Sequence, residues 1–112
     1  LRALIGGVFT HHPRQCPVTH RPQEGHPLTA GSSTFTLQDE HYFLAQDDPD
    51  ADVFMTTESE HGAQPGGWTR TEGDGRVCML SPGHNLDVWR HESYQALIKN
   101  GLLWCGAADK GR

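Results

Sequence analysis

One amphipathic stretch near the end of the chain constrains the fold most. Glu92 lies in its first turn, where a negative charge suits the positive end of the helix dipole. Gly106 after it is a typical helix stop. Glycine at mid-helix position 101 favours close packing against a sheet. The pattern predicts a helix over residues 92–105, with these residues on one face: Tyr94, Leu97, Ile98, Gly101, Leu102 and Cys105.

Short stretches of strand character precede this helix. They alternate apolar and polar side chains or carry short apolar runs, and an Asp-Gly pair at residues 74–75 favours a hairpin turn. Because proline cannot donate a backbone hydrogen bond to a neighbouring strand, Pro17 favours an edge position for the first strand. Residues 1–9 are expected to end a helix before a loop, and the Gly-rich residues 65–67 to break the chain between strands. Strands are expected at residues 15–20, 34–38, 51–57, 68–71 and 75–80.

The charge pattern argues against nucleic-acid binding. The net charge is −5, and residues 38–60 contain eight acids with no Lys or Arg. A protein that binds nucleic acid needs a basic surface that neutralises phosphates. Residues 47–52 are expected to form a solvated acidic loop.

The spacing of the cysteines and histidines bears on the cellular location and on metal binding. Three cysteines without a CxxC pair, and no visible signal peptide or membrane-spanning run, favour a reduced cytoplasmic location. Cys16, Cys78 and Cys105 are expected to be buried or structural, because none stands on a nucleophile elbow. The eight histidines are dispersed without an HExxH motif, so neither a metal nor another cofactor is expected. His26 precedes Pro27 and is expected to serve the local backbone.

Several short motifs occur in a characteristic order. They are HPLTAG at residues 26–31, DEHY at 39–42, WTR at 68–70, GDGRV at 73–77, SPGH at 81–84 and the closing LW at 103–104. In this order and spacing they resemble the ThuA-like family. The resemblance implies an α/β, flavodoxin-like, three-layer fold of the class I glutamine amidotransferase type. Because such a domain has about twice this length, residues 1–112 are expected to be the C-terminal portion of a single domain whose N-terminal half is missing.

His84 is the first candidate catalytic residue. It follows an apolar strand and a Pro-Gly turn, where α/β folds place groups that face a ligand. An imidazole there can accept or donate a proton near neutral pH. The resemblance also puts His84 at the position of the amidotransferase triad histidine. A loop histidine that only caps a turn is the structural alternative.

Glu40 is the second catalytic candidate. Neighbouring residues on a strand point to opposite faces, so Asp39 and Glu40 face one pocket only if the strand ends there. A continuing strand would put Glu40 and Tyr42 on one side, where a carboxylate and a phenol could bind sugar hydroxyls. The resemblance makes Glu40 the functional residue and Asp39 a local hydrogen-bonding partner. Glu40 and His84 are expected to converge, and an ordinary strand-end turn is the alternative.

Candidates for substrate binding stand beside Tyr42. Trp68 and Arg70 share one side of a strand, where an aromatic face and a guanidinium suit a sugar ring and its hydroxyls. A Trp that packs against the sheet is the alternative, and Trp89 and Trp104 are assigned to packing. In the resembling family the loop that contains His12 faces the pocket.

The resemblance implies a role in the catabolism of trehalose or a related disaccharide, through keto-sugar intermediates. An enzyme would use His84 as acid or base with Glu40 assisting. The alternative is a non-catalytic sugar-binding or assembly module on a degenerate glutamine amidotransferase-like scaffold. An active glutamine amidotransferase is least favoured, because no Cys–His pairing is visible. The expected partner is a small-molecule sugar, with no nucleic acid or membrane, and self-association into a homo-oligomer stays open.

Overall fold

Strands dominate the computed structural model, which describes residues 1–107. The expected strands and the long helix are confirmed with shifts of one or two residues at their ends, except that the strand expected at residues 68–71 begins six residues earlier. In chain order the elements are α1 (Arg2–Ile5), β1 (Gly7–His11), β2 (Cys16–Pro22), a 3₁₀ turn (Pro27–Thr29), β3 (Phe35–Asp39), β4 (Phe43–Gln46), β5 (Asp52–Ser59), β6 (Gly62–Glu72), β7 (Gly75–Leu80), α2 (Leu86–Arg90) and α3 (Glu92–Gly106).

The strands form two sheets. Five strands lie in the order β3-β2-β5-β6-β7, and β1 pairs with β4 in a separate two-stranded sheet. Every strand pair within residues 1–107 is antiparallel. This part of the chain is therefore a mixed α/β domain rich in antiparallel strands.

The hairpin between β6 and β7 turns one residue earlier than expected. Glu72 pairs with Gly75, so the two loop residues are Gly73 and Asp74 and not Asp74 and Gly75. Gly73 has a φ of +57°, a left-handed conformation that glycine adopts without the steric cost of a Cβ. A glycine in the first loop position explains the displaced turn.

Two expectations about strands were wrong. Residues 7–11 form β1 where a loop was expected, after Gly6 ends α1 with a φ of +86°. β2 lies inside the sheet and not at its edge, because β3 and β5 pair with its two sides. Pro17 is accommodated since β5 pairs only with residues 19–22 of β2 and therefore demands no N–H from the proline.

Residues 65–67 lie within β6 instead of forming a break. A Cβ on Gly66 would collide with the Thr57 side chain of β5, and one on Gly67 would lie 2.9 Å from the Phe54 ring. Glycine at these positions lets side chains of β5 lie close against the β6 backbone. The glycines serve sheet packing, which their turn-like composition did not suggest.

The core is built where α3 packs on β7 and on the 3₁₀ turn. Close packing at Gly101 is confirmed, because a Cβ there would lie 2.9 Å from Sγ of Cys78. Leu102 was expected on the same face but is 70% exposed, because each residue advances about 100° around a helix. The buried apolar cluster comprises Leu28, Phe35, Phe54, Met55, Val88, Tyr94 and Leu97.

The cysteines are unpaired thiols, with Cys16 buried and Cys78 and Cys105 partly buried. Burial raises the pKa of the Cys78 thiol to about 11, which suits a structural and unreactive cysteine. Of the helices in residues 1–107, none combines the length and the apolar character that crossing a bilayer requires.

Candidate functional site

Three side chains from three separate loops meet at one carboxylate oxygen of Glu40. The Tyr42 hydroxyl donates to Oε1 of Glu40 at 2.9 Å. Nδ1 of His84 lies 3.3 Å from the same oxygen, and Nε2 of His12 lies 3.7 Å from it. We call these residues, His12, Glu40, Tyr42 and His84, the His-Glu cluster. The structure therefore brings four of the six sequence-predicted site residues together.

The ends of strands bring the cluster together. β3 ends at Asp39, so the chain turns there and Glu40 leaves the strand direction. His84 follows β7 and His12 follows β1. Glu40 and Tyr42 meet because the chain turns between them, and not because a strand continues, as one sequence interpretation required. The joint site of His84 and Glu40 is consistent with this geometry.

Asp39 holds the loop that carries His84. Its carboxylate is fully buried and accepts backbone N–H bonds from Gly83 at 3.1 Å, His84 at 3.1 Å and Asn85 at 2.9 Å. A buried carboxylate is costly unless such donors satisfy it. The resemblance implied a local hydrogen-bonding partner, but the donors to Asp39 are backbone groups of this loop, 44 to 46 positions away in sequence.

Two aromatic residues support the same loop from α2 and α3. The Trp89 indole donates to the Gly83 carbonyl at 2.7 Å, and the Tyr94 hydroxyl donates to the Pro82 carbonyl at 2.6 Å. Gly83 has a φ of +127°, and a Cβ there would lie 2.7 Å from the Trp89 ring. Trp89 was assigned to packing from the sequence, and this hydrogen bond was not predicted. The glycine of the SPGH motif was the one sequence signal of the tight turn.

Tyr42 is a protonated donor at neutral pH. Burial, reinforced by the hydrogen bond to Glu40, raises the pKa of Tyr42 to about 12. Phe9 and His12 both contact its ring edge-to-face, with centroids 5.5 Å and 5.9 Å away. Packing from two sides restricts the phenol, so it holds the Glu40 carboxylate in one orientation. Phe9 was not predicted as a member of this site.

His12 has one ring nitrogen engaged outside the cluster. Its Nδ1 lies 2.8 Å from the Pro13 carbonyl oxygen, and because a carbonyl can only accept, Nδ1 carries a proton. Nε2 then faces Glu40 as a second N–H donor when the ring is charged. His84 presents the other ring nitrogen, Nδ1, to Glu40. Its side chain is about half exposed, so its Nε2 can contact a ligand.

Trp68 and Arg70 lie outside the His-Glu cluster. The Trp68 side chain is fully buried, and its N–H donates to the Ile5 carbonyl at 2.8 Å. Arg70 donates to Asp48 at 2.8 Å and to the Leu4 carbonyl at 2.8 Å. Both residues attach α1 to the sheet, which matches the packing alternative for Trp68.

The acidic loop is largely exposed, as expected, with Asp48 as the exception among its acids. Asp48 is mostly shielded in its ion pair with Arg70, and Asp47 accepts two hydrogen bonds from Arg2. These bonds hold the loop against α1 and β6. Pairing with arginines distant in sequence explains the difference from a free acidic loop.

The remaining histidines serve local structure or the surface. His26 accepts the Leu28 N–H at 3.0 Å and contacts Asp52 at 2.8 Å, which confirms its expected backbone role. In residues 1–107, no group of three or more His, Cys, Asp or Glu side chains could hold a metal ion.

Similarity to known proteins agrees with the motif order. The model of the ThuA family, described as trehalose utilisation, matches residues 1–105. No curated protein matches the chain significantly.

Proposed function

This chain belongs to the ThuA family of trehalose utilisation, and from that premise we propose that the His-Glu cluster binds a sugar or keto-sugar and transfers one of its protons. The family supports a role in sugar utilisation. The proposed substrates are trehalose, a related disaccharide or a keto-sugar derived from one. The observation that carries the proposal is the contact of one Glu40 oxygen with Tyr42, His84 and His12.

His84 is the proposed acid or base. Its Nε2 takes a proton from a sugar hydroxyl, or from the carbon beside a keto group, and later returns it to the substrate. The ring is positively charged in between, and the Glu40 carboxylate 3.3 Å from Nδ1 stabilises that charge. Tyr42 positions Glu40 through its hydrogen bond, because its hydroxyl stays protonated at neutral pH.

His12 is proposed to bind an oxygen of the substrate. Its Nε2 approaches the same Glu40 oxygen as Nδ1 of His84, and its side chain is partly exposed. In the charged form its Nε2 can donate a hydrogen bond to Glu40 or to a ligand oxygen that competes for it. This use fits the proposed sugar, whose hydroxyl and carbonyl oxygens accept such bonds.

We also infer that residues 1–112 belong to the C-terminal portion of one flavodoxin-like, class I glutamine amidotransferase-like domain. The match of the family model to residues 1–105 supports this. The antiparallel strands of residues 1–107 differ from the mostly parallel sheet typical of that fold. A cytoplasmic location belongs to the same proposal, supported by the unpaired thiols of residues 1–107.

A non-catalytic binding or assembly module is the second candidate. Two leucines on the outer face of α3, Leu102 and Leu103, are 70% and 61% exposed. Apolar exposure of this kind suits self-association. On this reading the cluster would bind sugar without any proton transfer.

A matched pair of variants tests the catalytic proposal. His84→Ala removes the proposed base, whereas His61→Ala removes another exposed histidine beside a carboxylate, Glu60 at 3.4 Å. A host that depends on the protein for growth on trehalose is complemented with each variant at equal protein level. We expect His84→Ala to abolish growth and His61→Ala to preserve it. Normal growth with His84→Ala would reject the catalytic role and leave the binding module.

A further inference from the structure

An apolar groove begins at the ring of Tyr42. It has a volume of about 290 Å³ and is lined by Phe9, Tyr42, Leu44, Met79 and Ser81. The Tyr42 hydroxyl is already bonded to Glu40, so Ser81 supplies the other polar side chain of the lining. A second sugar ring in this groove would lose the water bound to its hydroxyls and gain few hydrogen bonds in return. The groove therefore suits an apolar group.

The groove adjoins the His-Glu cluster at one residue. Tyr42 belongs to both, with its hydroxyl in the cluster and its ring in the groove. Phe9 contacts that ring edge-on, at an angle of 86°. A ligand whose polar part contacts Glu40 and His84 would extend directly over Phe9 and Met79.

The volume of the groove limits which apolar group can bind in it. A closed cavity of about 150 Å³ is enough to hold a benzene molecule, so the 290 Å³ groove holds one aromatic ring or a short alkyl chain with room to spare. A second apolar hollow of about 360 Å³ shares Phe9, Leu44 and Met79 with the groove. Longer alkyl chains could extend into this second hollow.

We propose that the groove beside Tyr42 binds the apolar aglycone of a glycoside whose sugar contacts the His-Glu cluster. The inference rests on the proposed function, and it adds aryl and alkyl glycosides to the disaccharides and keto-sugars proposed there. Apolar walls contribute affinity through burial, and the polar cluster sets the orientation.

Calorimetric titration of the full chain with phenyl glucoside and methyl glucoside, each as both anomers, tests this inference. We expect phenyl glucoside to bind at least about tenfold tighter, a difference of about 1.4 kcal/mol. Met79→Gln should reduce that ratio to near one and leave methyl glucoside affinity unchanged. Leu44→Gln provides a second variant, and Leu102→Gln on the exposed face of α3 is the control that keeps the ratio. Circular dichroism establishes that each variant is folded.

The outcomes separate the two proposals. If both glucosides bind equally, or if neither groove variant changes the ratio, the aglycone subsite is rejected and the proposed function stands. If methyl glucoside binds and His84→Ala and Glu40→Gln leave its affinity unchanged, the sugar site itself is rejected. If no glucoside binds the wild-type chain, the aglycone subsite is rejected, and growth of the His84→Ala variant on trehalose decides the proposed function separately.

Discussion

The Asp39 carboxylate accepts a hydrogen bond from the backbone N–H of His84 at 3.1 Å, across 45 positions of sequence. Gly83 and Asn85 donate to the same carboxylate. A residue with no direct contact to substrate in the proposed mechanism thus sets the position of the proposed acid or base. The adjacent Glu40 contacts the imidazole of His84, so two neighbouring acids hold the backbone and the side chain of one histidine.

Asp39→Asn should destabilise the fold. An amide in this place keeps one oxygen but points an NH₂ group at backbone N–H donors, so buried donors lose their partner. We expect the free energy of unfolding to fall by about 1.5–3 kcal/mol, the range for hydrogen bonds to a charged group. Urea denaturation measures it. Asp50→Asn, on the exposed loop, is the control, and equal losses in both variants would contradict the role of Asp39.

Gly83→Ala should cost more than another glycine substitution at positive φ. The added Cβ would lie 2.7 Å from the Trp89 ring, whereas a Cβ on Gly73 meets nothing within 4 Å. Gly73→Ala therefore measures backbone strain alone, which costs about 1 kcal/mol. We expect Gly83→Ala to exceed it by at least about 1 kcal/mol. The double variant with Trp89→Ala should lose less than the sum of the two single losses, and simple additivity would refute the clash.

His20 should make the protein less stable as the solution is acidified. The imidazole is fully buried and stacks on Phe35 with ring centroids 4.3 Å apart. Burial lowers the pKa of His20 from 6.5 to about 4. The unfolded chain therefore takes up a proton below pH 6.5 while the folded chain does not, so stability falls between about pH 6.5 and 4, by up to about 3 kcal/mol.

His20→Phe should flatten this pH dependence. Urea unfolding at a series of pH values compares the variant with the wild type, and the difference between their slopes isolates His20. Some slope remains in the variant, because burial also lowers the pKa of His41. His61→Phe, at an exposed site, should keep the wild-type slope. An unchanged slope in His20→Phe would show that His20 is not the source.

Glu40→Gln should make Tyr42 easier to ionise. Burial is the main cause that raises the pKa of Tyr42 to about 12, and the hydrogen bond to Glu40 adds to it. Removing the carboxylate should lower that pKa towards 10 while burial keeps it above the ordinary value. Carbon NMR of the tyrosine ring, titrated in alkali, measures it, with Tyr42→Phe to assign the signal. A pKa unchanged or raised in Glu40→Gln would contradict the contact.

Local sequence patterns were enough to predict most elements. Residues 75–80 form β7 as predicted, and the helix over residues 92–105 extends by only one residue, to Gly106. These elements depend on alternation, helical spacing and turn residues, which act over a few positions. The choice of His84, Glu40, Tyr42 and His12 came from motif order and strand ends. The same reasoning also selected Trp68 and Arg70, whose contacts lie with α1 and the acidic loop.

The sequence by itself determined where most strands and the long helix form, because backbone preference and side-chain periodicity are local. It did not indicate β1 or β4. Only the tertiary structure decided which strand lies inside the sheet and which loops meet at Glu40. Asp39 illustrates the difference, because an acid at a strand end has many compatible environments. Its burial and its three backbone donors arise only when β3 and the loop after β7 pack together. Desolvation then requires that every buried charge find partners, and those partners are distant in sequence.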